Sequence, residues 1–220
     1  MSREAFSERL LERAHRSGLH PAADLVATLW TYYELLTRWN DRINLAGFPL
    51  RGYPDAALDR LIVEPLVAAR LIGAVDSMID IGSGGGSPAI PLALALGVGR
   101  LRMVESRTRK AVFLREATRA VGLSEAEVFA ARIEALLTDP RLQAGHALVT
   151  IRAVRIEPGL LAQLVTLVRP GGRVALFRTA GGSFPLEGAT VAPLDPEGRS
   201  ELVVMEVVPR GTSGQQRLPG

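Results

Sequence analysis

The sequence predicts an α/β fold: a mostly parallel, seven-stranded sheet with helices on both faces, preceded by a helical extension. Three observations predict it. Short apolar runs recur from residue 78 onward, helical patterns fit between most of them, and a glycine-rich loop stands directly after the first run. The 220 residues suffice for one sizeable domain with an extension. We divide them into a helical extension at 1–73, a sheet domain at 74–208 and a flexible tail at 209–220 that is polar and carries glycine and proline.

Within residues 21–39, Leu25, Leu29, Tyr32, Leu36 and Trp39 recur at helical spacing and form one apolar face, and Pro21 suits a first helical position. Gly47, Pro49, Gly52 and Pro54 place a loop at 47–54. A second helix is expected over 56–72, from Leu58, Leu61, Ile62, Leu66, Ala69 and Ile72, with Pro65 weakening its first half. Strands follow at 78–81, 101–105, 127–131, 147–151 and 173–177, with helical patterns at 87–97 and 107–121 between them. A late pair at 189–193 and 201–208, hinged by the turn DPEGR, closes the sheet as antiparallel strands.

Composition narrows the chemistry. Without cysteine there are no disulfides and no thiolate metal ligands, and three histidines far apart in sequence do not suggest an imidazole zinc site, so no metal is expected. No stretch reaches the roughly 20 apolar residues that span a membrane, and the opening residues lack the apolar core of a secretory signal. A cytoplasmic protein is the expectation. Lys110 is the single lysine among 26 basic residues. Either a genomic bias or a surface of planar guanidinium donors for phosphates and base edges accounts for that preference.

The loop Gly82-Ser83-Gly84-Gly85-Gly86 separates a short strand from a helix expected to begin near Ser87 and Pro88. In open α/β sheets, ligands settle at the carboxyl ends of strands beside a switch in strand order. No Gly-Lys-Ser/Thr follows, so this is not a phosphate loop of the nucleotide-hydrolase type. Binders of NAD, of flavins and of S-adenosylmethionine share such loops. Glu105, ending the next strand, is placed to accept both ribose hydroxyls of an adenosine in any of them. Asp80, just before the loop, favours the methyl donor. A carboxylate beside a diphosphate is unfavourable, whereas one beside a zwitterionic methionine is not. The alternative role for Asp80 is to cap loop amides.

The residues resemble the bacterial ribosomal RNA small subunit methyltransferase G family, also called glucose-inhibited division protein B. The resemblance rests on Arg38-Trp39-Asn40 and Asn44-Leu45, and centrally on Ile79-Asp80-Ile81-Gly82-Ser83-Gly84-Gly85-Gly86-Ser87-Pro88-Ala89-Ile90-Pro91-Leu92. It continues through Glu105-Ser106, Arg109-Lys110, Phe113-Leu114, Arg132-Ile133-Glu134, Arg152-Ala153-Val154 and Gly171-Gly172. It implies a Rossmann-like class I S-adenosylmethionine-dependent methyltransferase acting on N7 of a guanine in 16S ribosomal RNA. The expected partner is that RNA, within the small ribosomal subunit or a precursor, and the chain is expected to act as a monomer.

Carried over by position, the resemblance implies that Gly82 and Ser87 line the cofactor through backbone atoms and that Ile133 and Glu134 flank its adenine; Asp80, Gly84 and Glu105 are the cofactor candidates of the loop and strand end themselves. Arg152 stands at the mouth shared by cofactor and substrate and is the catalytic candidate. Lys110, Arg132 and Arg178 are the substrate-binding candidates. An ion pair of Arg132 with Glu134 or Glu105 is the competing reading, and Trp39 is expected to pack the extension against the core. Departures from the family pattern cluster on the substrate side: Arg60-Leu61, Glu64-Pro65, Ala147, Ile151 and Arg178-Thr179. They leave two other readings open: a methyltransferase with a different RNA or small-molecule substrate, and a non-catalytic RNA-binding protein that retains the pocket.

Overall fold

The computed structural model describes residues 2–153, 158–182 and 188–207. Two long helices open the chain, α1 (Arg3–Arg16) and α2 (Ala23–Asn40). Ser2 caps α1 by accepting the Ala5 amide at 3.2 Å. Pro21 lies before the Ala22 cap of α2 and not at its first turn. The face read from the sequence is the buried one: Leu29, Tyr32 and Leu36 are fully buried, with Leu25 and Trp39 packed partly against them.

The second helix is not one regular α-helix. It runs as α3 (Asp55–Leu58), a π turn (Asp59–Val63) and α4 (Glu64–Ile72), with Pro65 in the first turn of α4. Proline has no amide to give the preceding turn, and the extra residue of the π turn takes up the break without ending the helix.

Seven strands then form one sheet in the order β3-β2-β1-β4-β5-β7-β6. They are β1 (Ser77–Ile81), β2 (Arg100–Val104), β3 (Glu127–Phe129), β4 (His146–Arg152), β5 (Val168–Thr179), β6 (Thr190–Pro193) and β7 (Ser200–Glu206). The first five pair in parallel, while β7 runs antiparallel to β6, as the DPEGR hinge predicts, and also to β5. Asp195 builds that hinge by accepting the amides of Glu197, Arg199 and Ser200. Helices α5 (Ala89–Leu96), α6 (Thr108–Ala120) and α7 (Pro158–Leu164) cover the sheet. The expected fold therefore stands. Several boundaries differ: α5 starts after Pro88, β2 stops before Glu105, and β3 stops at Phe129. The end of the last expected strand, at 208, and the expected tail at 209–220 lie outside the described residues, as does Val154.

Alternate residues of β1 feed two cores, as strand geometry requires. Met78 joins a core that also holds Phe6 of α1, Tyr32 and Leu36 of α2, Ile62 of the π turn, Ile90 of α5 and Phe113 of α6. Ile79 and Ile81 face the other way, onto Val149, Ile151, Leu164 and Leu176. The N-terminal helices thus share one apolar core with the sheet.

Candidate active site

Between β1 and β4 the strand order reverses, so the carboxyl ends of these strands diverge and leave a crevice. A cleft of about 340 Å³ opens at the carboxyl ends of β1, β2 and β3, on one side of that point, lined by Ile81, Gly82, Val104, Ser106, Ala131, Arg132, Ile133 and Glu134. That volume lies within the range of small-molecule sites, and its walls are mostly apolar with a few polar groups, as such sites require. Among the described residues no group of acidic or imidazole side chains is arranged to hold a metal.

The glycine loop is held from two sides. The Val104 carbonyl accepts the amides of Gly82 and Ser83 at 2.8 and 3.0 Å. The Glu105 carboxylate accepts the Gly84 amide at 2.9 Å and the Arg107 amide at 2.7 Å. A carboxylate has about four acceptor positions, so Glu105 keeps further lone pairs while it braces the loop. Behind the loop the extension presses close. The Tyr32 hydroxyl donates to the Gly85 carbonyl at 2.6 Å, and a Cβ on Gly85 would sit 3.0 Å from the Leu45 carbonyl oxygen. Gly86 has φ +83° and would place a Cβ 2.8 Å from Ile90 Cδ1. Gly82 therefore serves the cleft, whereas Gly85 and Gly86 serve the packing of the N-terminal helices.

Asn40 and Trp39 carry that packing further. Asn40 Oδ1 accepts the amides of Leu45 and Ala46 at 2.9 and 2.8 Å, fixing the loop that meets Gly85. Trp39 stacks edge-on against Phe113 at 5.8 Å and donates to Glu116 at 3.1 Å, so it joins the extension to α6.

The other expected site residues form a second, buried group. Asp80 is 1% exposed and accepts the Thr150 hydroxyl at 2.6 Å. Burial pushes its carboxyl up to about 6, against the hydrogen bonds from Thr150 and Ser83 and the charge of Arg152. Arg152, at the end of β4, donates from Nη2 to Glu64 Oε2 at 2.7 Å and from Nη1 to Ser87 Oγ at 3.3 Å and to the Arg60 carbonyl. Its guanidinium lies over the Phe177 ring, 4.5 Å from the centroid. Burial pushes it down to about 10, opposed chiefly by Glu64, and it stays charged at neutral pH. Ser87 donates its hydroxyl to the Leu61 carbonyl at 2.9 Å.

Of the expected cofactor residues, then, Gly82, Ile133 and Glu134 line the cleft and Arg132 joins them, while Gly84 and Glu105 brace the loop. Asp80, Ser87 and Arg152 lie in the buried group rather than in the cleft wall. Arg152 does not offer an open guanidinium fork: both Nη atoms are engaged by the chain, and Nε is buried without a partner among the described residues. Arg178 pairs through Nε with Glu201 at 2.5 Å, which occupies part of the fork assigned to substrate. Lys110 is half-buried on α6. Among the described residues Arg132 makes no ion pair with Glu134 or Glu105, so that competing reading finds no support in the geometry. Ser106 and Ala131 are lining residues that sequence reasoning misses. Ser106 directly follows Glu105, which is the available signal, and Ala131 offers only backbone and a methyl group.

The family described as rRNA small subunit methyltransferase G matches residues 26–186. A ribosomal RNA small subunit methyltransferase G of Stenotrophomonas maltophilia is 35% identical over 199 residues, covering 89% of this chain and 86% of that one. Its counterpart in Xanthomonas axonopodis pv. citri is 34% identical over 210 residues, covering 89% and 92%. A SAM-dependent methyltransferase structure from Aquifex aeolicus, 13% identical, superposes with a TM-score of 0.55 over 80% of this chain and 98% of that one; it attests the fold. With a match spanning most of both strands and extension, the chain belongs to the ribosomal RNA small subunit methyltransferase G family.

Proposed function

We propose that this protein transfers a methyl group from S-adenosyl-L-methionine to N7 of a guanine in 16S ribosomal RNA, acting as a cytoplasmic monomer on the small ribosomal subunit or a precursor. The observation that carries the reading is the cleft at the carboxyl ends of β1, β2 and β3, lined by Gly82 of the glycine loop and by the turn Arg132–Glu134. Family membership supplies the reaction, and the names of the relatives supply the RNA.

The cleft suits the cofactor's adenosine. Ile81, Val104 and Ile133 give apolar faces for a purine, and Glu105 at the strand end has acceptor positions left for ribose hydroxyls. Ile133 and Glu134 open a short 3-10 turn, whose first amides have no carbonyl to meet inside the turn, and these are donors for the ring edge. The bound cofactor supplies a methyl carbon already activated by a sulfonium.

The chain has to supply alignment and the exclusion of water. Guanine N7 attacks with an in-plane lone pair and carries no proton, so no general base is required. The N–C bond forms as the S–C bond breaks, and the departing pair stays on sulfur. This agrees with Asp80 and Glu105 both being engaged in structural hydrogen bonds. In duplex RNA the major groove is too narrow for side chains, so the guanine must come from a loop or be flipped out. Arg132, exposed at the cleft, and Arg107 and Arg109, exposed at the start of α6, are the proposed contacts to RNA phosphates, and their exposure supports that reading.

The test is transfer of labelled methyl from S-adenosylmethionine to small ribosomal subunits, followed by mapping of the modified base. Label on N7 of one guanine is expected. Label on another atom or another RNA would overturn the substrate. Tight binding of the cofactor without transfer to any ribosomal precursor would favour the non-catalytic reading.

A further inference from the structure

The π turn sits where Pro65 withdraws an amide from the helix. Counted as an α-helix, the carbonyl facing residue 65 is that of Leu61; counted through the π turn, it is that of Arg60. Side chains from the sheet domain meet both. Ser87 Oγ donates to the Leu61 carbonyl at 2.9 Å, and Arg152 Nη1 donates to the Arg60 carbonyl. Directly before Pro65, Glu64 accepts Arg152 Nη2 at 2.7 Å and Arg60 Nη1 at 3.1 Å. Phe177, the register partner of Arg152 on β5, covers the face of the guanidinium. The turn is itself anchored, because Arg13 of α1 is paired with Asp59, its first residue.

These contacts engage both Nη atoms and cover one face of the guanidinium. Nε is the single Arg152 donor atom without an acceptor among the described residues, although its burial would otherwise demand one. Arg152 ends β4 beside the switch point, and Ser87 ends the glycine loop, so both stand at the carboxyl edge of the sheet, where ligands of open α/β folds settle.

We propose that the π turn and Glu64 form a positioning device for methyl transfer, in which the Arg60 and Leu61 carbonyls and the Glu64 carboxylate set the orientation of Arg152 and Ser87. The proposal rests on the methyltransferase reading above. Glu64, Arg60 and Leu61 are positioning residues in it. The N-terminal extension reaches the reaction through this helix, by way of the Arg13–Asp59 pair.

Pro65→Ala tests the device without removing any polar side chain. It returns an amide to the helix, which competes with Arg152 and Ser87 for the carbonyls they now hold. The expected result is a fall in kcat on the order of ten- to a hundredfold, with the KM for S-adenosylmethionine within about twofold and an unchanged or higher Tm. A merely structural proline would move stability and activity together. Glu64→Gln should lower kcat in the same way, and Glu64→Asp should recover part of the loss by restoring the charge. In parallel, arginine-selective ¹⁵N NMR reads rotation about the Arg152 Cζ–Nη bonds, which should be slow in the unaltered protein and faster in Pro65→Ala and Glu64→Gln. Unchanged kcat in both variants, or fast Nη rotation in the unaltered protein, overturns the proposal. Slow rotation in a protein that transfers no methyl group upholds the positioning geometry and overturns the functional reading instead.

Discussion

The cleft wall and the buried group behind it are neighbours built on opposite principles. The wall is largely backbone and small or apolar side chains, with Arg132 and Glu134 exposed and unburdened by burial. Behind it Glu64, Asp80, Thr150 and Arg152 are nearly dry, and each polar group takes its partner from a different element. A site whose reaction needs no proton transfer tolerates this division. In the proposed reading, molecules are held by a surface that strand ends and turns build, while the charges behind it pair across elements. Substitutions in the buried group should therefore disturb the fold first, and substitutions in the wall should disturb binding alone.

Arg152→Ala should show the difference most sharply. Removing it leaves the Glu64 carboxylate 7% exposed and without its main partner, and breaking a buried pair in this way costs about 3–5 kcal/mol. Urea denaturation is expected to show that loss alongside the loss of methyl transfer. Full stability in the variant would mean that Glu64 finds water, and that the group is less dry than its burial indicates. Gly86→Ala follows. A Cβ there meets Ile90 at 2.8 Å and both Tyr32 and Leu114 at 3.3 Å, at a φ of +83° that L-residues avoid. Left-handed strain and overpacking together should destabilise by about 2–4 kcal/mol. Gly84→Ala, with φ +53° but its nearest neighbour at 3.7 Å, should lose only the strain of about 1–2 kcal/mol. Equal losses in the two variants would remove the case that Gly86 is required by the N-terminal helices.

How far the sequence reveals each region follows from the same division. Strands β1, β2 and β4 are legible because nearly every position is buried, so they read as short apolar runs whatever surrounds them. The first half of β5 is hidden because Arg169-Pro170-Gly171-Gly172 reads as a break. The strand passes through it, with Gly171 and Gly172 exchanging hydrogen bonds with Val207 at 2.9 and 2.8 Å. The cleft is legible as a glycine loop with an acidic strand end after it, since backbone geometry selects those residue types. The role of Glu105 is only half visible: its acceptors are shared with Gly84 and Arg107 amides that no spacing rule announces. Least legible is the buried group. In the sequence Leu61 and Glu64 look like departures on the substrate side, and only the long-range pairing with Ser87 and Arg152 shows them to be parts of one network. Local pattern carries no trace of contacts that span 88 residues.

Asp80 allows the buried group to be probed by pH. Its carboxyl is raised to about 6 by burial from an ordinary 3.8, so the folded state holds its proton more tightly than the unfolded chain does. Stability from this group is complete below about pH 4 and is lost as pH rises through about 6. A difference of that size between the folded and unfolded carboxyl corresponds to about 3 kcal/mol. Asn cannot ionise but can still accept from Thr150, so Asp80→Asn should gain on the unaltered protein by about that amount between pH 4 and pH 7. Denaturation midpoints for both proteins across that range read the difference. A gap that does not change with pH would mean that Asp80 is ionised at an ordinary pKa and that Arg152 neutralises it.

The smallest effect on stability is expected in the wall. Arg132 is exposed, lines the cleft and makes no ion pair among the described residues, so Arg132→Ala should change stability by less than about 0.5 kcal/mol. Its expected effect is on RNA. Loss of one phosphate contact should weaken binding uniformly across sequences and reduce the slope of log affinity against log salt by roughly 0.7–0.9. The same guanidinium also borders the space assigned to the cofactor, and the two roles separate cleanly in one titration series. A variant with an unchanged salt slope but a raised KM for S-adenosylmethionine would assign Arg132 to the cofactor wall and move the RNA contact outward, to Arg107 and Arg109 at the start of α6.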